Sequence, residues 1–167
     1  CRRAAKLLEE AYRAYNVHLA RARKGGKRFK VYLFAGRAGY QAYSEATLGD
    51  KAANEAGCYS PWLRQLLIWN SPEREFMMRV VRHEGSHQFV HANLGAPPVW
   101  FDEGLAEYHE TAEYRNGKWA VGQLRPEHLE KLEPERKILR LELFFRIDGR
   151  RFYGEQSRRN YAQAAES

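Results

Sequence analysis

A chain of 167 residues, 44% hydrophobic and 13% aromatic, is long enough to bury a core and too apolar to be a disordered polymer. Its longest apolar runs are short, as in Gln65-Leu-Leu-Ile-Trp69, far below the ~20 residues of a membrane span. The net charge of +7 gathers at Arg21 to Arg28, around Arg146, Arg150 and Arg151, and at Arg158 and Arg159. Such clusters form a solvated basic surface or attract an acidic partner, and no nucleic-acid motif or regular aromatic interleaving accompanies them, so no nucleic-acid partner is expected.

The chain begins with Cys1 and its last residues, Asn160 to Ser167, read as the opening turns of a helix, so the expectation is a fragment or processed product of a longer protein. Residues 1–28 are expected to hold an N-terminal helix. From Ala4 to Lys24, Leu8, Ala11, Tyr12, Tyr15, Leu19 and Ala22 recur at helical spacing, and Gly25-Gly26 ends the run. Residues 29–70 form a sheet region, with an aromatic and β-branched strand over Phe29 to Ala35. It continues with a helix from Ala38 to Leu48 stopped by Gly49, a turn at Cys58 to Pro61, and an apolar strand over Gln65 to Trp69.

Residues 71–115 carry two helices. Ser71 is the N-cap candidate of the first, with Pro72 at its first position, acids in the first turn, and an end near Asn93 before Leu94-Gly95. After Ala96-Pro-Pro98, a second helix is expected from Val99 to Tyr114, then a tight turn at Asn116-Gly117. Residues 116–167 form a C-terminal part with a helix near Pro126 to Leu132, an apolar segment Ile138 to Ile147, and a turn at Asp148-Gly149. No linker divides the chain, so a single catalytic domain over 1–167 is expected. Its fold class is α+β, a small sheet beside an active-site helix followed by a mainly helical half.

The chemistry concentrates in His83-Glu84-Gly85-Ser86-His87. Histidines four apart on a helix lie ~6 Å apart along the axis and ~40° apart around it, so both rings can reach one ion. Glu84 leans toward the open side of such an ion, where it can take a proton from water. Gly85 in mid-helix costs ~1 kcal/mol relative to Ala, a departure found where function or close packing needs room. The next helix offers Asp102, Glu103, Glu107 and Glu110, and one carboxylate from it would complete a His₂Glu set with an open fourth position. His91 continues the histidine spacing but would lie ~12 Å from His83 along the axis, too far to share the ion. It is expected at the helix end or in the cleft, and His18, His109 and His128 at the surface.

These segments, His83 to Gln88 and Trp100-Phe-Asp-Glu-Gly-Leu-Ala-Glu-Tyr108, resemble the gluzincin branch of zinc metallopeptidases, and more closely the bacterial peptidase MA-like group. The resemblance spans about Phe29 to Gln163 and implies a zincin-like fold with Zn2+ held by His83, His87 and Glu103. It implies that Glu107 orients a ligand histidine, and that Gly57, Cys58, Tyr59 and Ser60 line the cleft by pairing with an extended peptide or protein substrate. A tyrosine across the cleft commonly stabilises the oxyanion, for which Tyr153 and Tyr161 are the candidates by position. It further implies an exported or envelope-associated bacterial protein. The separation of His87 from Glu103 is shorter than in large aminopeptidases, and their motif for anchoring an amino terminus is not evident. The expected function is zinc-dependent amide hydrolysis with Glu84 as general base. Two other readings stand beside it: a non-catalytic zinc-stabilised binding module, and a basic interaction domain in which the motif is accidental.

Overall fold

The structure, a computed structural model, describes residues 2–18, 29–115, 118–123, 140–154, 160–161 and 163–164. It is mixed α/β and divides into two compact units, Cys1–Gly95 and Ala96–Ser167.

In the first unit, helix α1 (Arg2–His18) precedes strand β1 (Lys30–Phe34), helices α2 (Arg37–Leu48) and α3 (Asp50–Asn54), strands β2 (Gly57–Ser60) and β3 (Gln65–Trp69), and helix α4 (Arg74–Leu94). The strands form one mixed sheet in the order β1-β3-β2, with β1 parallel and β2 antiparallel to β3. Central β3 is buried on both faces, which is why it reads as an unbroken apolar run. Leu66 and Ile68 pack with Leu8 of α1 and Val81 of α4, while α2 also packs on β3, where Tyr43 Oη donates to Gln65 Oε1 at 2.9 Å. Burying one such leucine contributes ~1.5–3 kcal/mol.

Helix α1 lies against α4 through residues that the helical spacing had selected. Ala11, Tyr15 and Phe89 form a buried cluster, and Tyr15 Oη donates to the carbonyl of Arg82 at 2.7 Å. Gly85 faces this contact: a Cβ there would stand 3.3 Å from Leu8 Cδ2 and 3.6 Å from Tyr15 Oη. Its place in mid-helix therefore serves the approach of α1. The part of the expected first helix beyond His18, with its Gly25-Gly26 stop, lies outside the described residues.

Three boundaries differ from expectation in this unit. Gly57–Ser60 is a strand rather than a turn, because pairing with β3 occupies its backbone, and the turn starts at Pro61, which has no N–H to continue the ladder. The short helix α3 was not expected. Helix α4 starts at Arg74 instead of Pro72: Ser71 N donates to the carbonyl of Trp69 and Ser71 Oγ accepts from Glu73 N, which holds Ser71 and Pro72 in the turn leaving β3. At the other end, α4 stops at Gly95, whose φ of 85° is one that favours glycine.

The second unit holds α5 (Val99–Glu110), a hairpin of β4 (Glu113–Arg115) and β5 (Lys118–Ala120), and two short helices, α6 (Leu141–Phe144) and α7 (Gly149–Phe152). Helix α5 stops four residues before the expected Tyr114. Ala112 N turns back to the carbonyl of His109, and the backbone of Tyr114 pairs opposite Trp119 in the hairpin. Asp148 caps α7 by accepting from Arg151 N at 3.0 Å, so the expected turn at Asp148-Gly149 is a helix start. Phe144, Phe152 and Ala164 form this unit's core, flanked by Trp100 and Tyr161. Asn160, Tyr161, Gln163 and Ala164 are helical. The expected helix at Pro126 to Leu132 and the turn at Asn116-Gly117 lie outside the described residues.

Among the described residues no helix is long and apolar enough to cross a membrane.

Candidate metal centre and its carboxylates

Helix α4 sets His83 and His87 one turn apart on one face, and their Nε2 atoms stand 3.3 Å from each other. Two nitrogens each ~2.0–2.1 Å from one zinc at a near-tetrahedral angle would be ~3.3–3.4 Å apart. The ring centroids are 5.0 Å apart with planes at 74°, so the two edges converge without stacking. This donor pair fits a divalent transition ion that favours imidazole nitrogen.

Glu84, the next residue after His83, turns toward the sheet. Its Oε2 accepts a hydrogen bond of 2.7 Å from the backbone N–H of Tyr59 on β2. That contact requires β2 to lie close on α4, and Gly57 permits it. A Cβ at Gly57 would meet Val80 Cγ1 at 2.5 Å and the Leu67 carbonyl oxygen at 3.2 Å, with Glu84 Cγ at 3.6 Å. Strand β2 is an edge of the sheet, as an added peptide strand would need, yet the Tyr59 N–H is committed to Glu84. Gly57 and Ser60 are buried, while Cys58 and Tyr59 are partly exposed. Burial, then the charges of Glu84 and Glu55, pushes the Cys58 thiol up to about 12.

In the second unit, Glu103 and Glu107 lie one turn apart on α5, and both are buried. Glu103 Oε1 accepts a hydrogen bond from Tyr153 Oη at 2.5 Å. Burial raises the ionisation of Tyr153 above the ordinary phenol range, and the neighbouring Glu103 charge raises it further. Tyr161 stands beside it, with its ring 5.1 Å from Phe152 and 6.2 Å from Tyr153. Close packing shapes this part of α5 too, since a Cβ on Gly104 would fall 2.4 Å from the carbonyl oxygen of Ala164.

His109 corrects an expectation: it is fully buried on α5 rather than at the surface. The buried face of α5 carries Glu103, Ala106, Glu107 and His109, so polarity does not mark the exposed side of this helix. The side chains of His18 and His128 lie outside the described residues. His91 borders a cavity with Tyr59, their ring centroids 5.7 Å apart, in keeping with a cleft position.

Two residues that the sequence reading passed over bear on the site. Gln88, buried beside His87, accepts from Tyr12 Oη and donates through Nε2 to the Lys30 carbonyl, which fixes α4 to α1 and β1. Arg64, in the turn between β2 and β3, holds a left-handed φ of 54°. A glutamine directly after His87 offers a sequence signal for the first; nothing local marks the second. Comparison with known proteins finds no matching family model, no similar curated protein and no similar solved structure.

Proposed function

We propose that this protein is a zinc-dependent peptidase of zincin-like architecture, with His83, His87 and Glu103 as metal ligands and Glu84 as general base. The observation that carries the reading is the 3.3 Å separation of the two Nε2 atoms, which matches the spacing of two nitrogens on one zinc ion. Glu103 is the proposed third ligand because a His₂Glu set leaves a fourth position open, and because its carboxylate is buried and oriented by Tyr153. A bound zinc ion supplies Lewis acidity toward a scissile carbonyl and toward water.

The chain's own part in hydrolysis is proton handling and orientation. Tyr59 N–H holds Glu84 through Oε2, so Oε1 is the atom that takes a proton from the attacking water. As the carbon–nitrogen bond breaks and the carbon–oxygen bond forms, Glu84 passes that proton to the leaving amine nitrogen. The hold on Tyr59 engages Oε2, and the use of the other oxygen as a proton acceptor is what separates the catalytic reading from the non-catalytic alternative.

Glu84→Gln separates the two. The proposal expects the variant to keep stoichiometric zinc and to lose roughly 10²–10⁴-fold in peptide turnover. Unchanged turnover contradicts Glu84 as the base.

A further inference from the structure

The first unit contains a cavity of about 410 Å³ at the end of the sheet where β2 turns into β3, lined by Phe29, Tyr59, Pro61, Arg64, Gln88 and His91. It adjoins the proposed catalytic carboxylate through one residue. Tyr59 holds Glu84 with its backbone N–H and packs its ring against His91, which lies one helical turn beyond His87. A chain bound at Glu84 therefore has this cavity within reach of its neighbouring residues.

Among the described residues the lining carries the Arg64 guanidinium, the His91 imidazole and aromatic rings, with no acidic side chain. Gln88 uses both ends of its amide on Tyr12 and Lys30, so it forms wall and not a recognition group. Arg64 is different. Arg64 takes part in neither the Lys6–Glu10 nor the Arg82–Glu75 ion pair. Its backbone occupies the left-handed region, where Gly or Asn sits at lower cost, and the turn around it is pinned by Leu63 N donating to Ser60 Oγ at 3.2 Å. A strained position that nonetheless carries a guanidinium, on a cavity whose described lining holds no carboxylate, is suited to receiving one from outside.

We propose that this cavity is a substrate subsite for a carboxylate, bound by Arg64 and His91 with Phe29 and Tyr59 flanking its carbon stem. As a subsite it rests on the peptidase reading; as a binding pocket it stands alone. The carboxylate can belong to an acidic side chain or to a peptide's C-terminus.

Binding and cleavage are measured separately on the full chain. Dissociation constants are compared for acetyl-Ala-Glu-amide (side-chain carboxylate), acetyl-Ala-Gln with a free C-terminus, and acetyl-Ala-Gln-amide (neither). One of the first two is expected to bind roughly tenfold or more tighter than the third, and to identify the source of the carboxylate. Arg64→Gly relieves the strained backbone, so it is expected to melt no lower than the parent protein and yet lose that preference; Arg64→Glu is expected to reverse it toward acetyl-Ala-Lys-amide. Equal affinity for all three probes, or a preference that survives Arg64→Gly, overturns the pocket. Cleavage of a peptide library by zinc-loaded protein tests the reading beneath it: carboxylate binding without any cleavage keeps the pocket and removes the peptidase, and cleavage indifferent to acidic residues and to chain ends removes the subsite.

Discussion

Tyr153 donates a hydrogen bond from its hydroxyl to Glu103, and desolvation beside that carboxylate keeps the phenol from ionising. In the proposed site this hydrogen bond orients the Glu103 carboxylate. Tyr153→Phe is expected to weaken zinc binding roughly 10–100-fold while the fold persists, measured by competition with a chelator; unaltered affinity would detach Tyr153 from the metal. Cys58 offers a second check on local electrostatics. With its thiol pushed up to about 12 by burial and by Glu84, it stays protonated from pH 7 through pH 9, because loss of the proton would place a second negative charge beside the carboxylates. Disulfide-exchange labelling of Cys58 in the native protein is expected to stay slow across that range. A labelling rate that levels off just above the ordinary thiol value would contradict the burial of Cys58 beside Glu84.

The contact between β2 and α4 depends on the missing side chain of Gly57. A Cβ 2.5 Å from Val80 Cγ1 and 3.2 Å from a backbone oxygen forces the strand outward, so Gly57→Ala is expected to destabilise the protein by about 1–3 kcal/mol in urea unfolding. It should also lower turnover, because Tyr59 N–H would lose its hold on Glu84; a neutral result on both would mean that the strand does not need this approach. Elements with regular periodicity were legible in the sequence: β1, β3, α2 and the body of α4 fall within a residue or two of their expected bounds. The shortest elements were not. Strand β2 depends on pairing with β3, and α3 is a single five-residue helix with little pattern of its own. The face of α5 misleads because its buried side is polar, which hid His109.

At the scale of the whole molecule, the His83 and His87 pair could be read from spacing alone, since a helix repeats every 3.6 residues wherever it sits. The commitments of Glu84 to Tyr59 and of Glu103 to Tyr153 join residues 25 and 50 positions apart, and no local pattern announces them. Zinc that binds the folded chain must also stabilise it: at a free concentration 100 times its dissociation constant, the gain is about 2.7 kcal/mol and the melting temperature rises accordingly. The central claim is tested most directly by titrating metal-free protein with zinc in a calorimeter. One zinc ion per chain is expected, with binding lost in His83→Ala and in His87→Ala and weakened in Glu103→Gln. Absence of stoichiometric zinc, or the same titration curve from the double variant lacking both imidazoles, would contradict it.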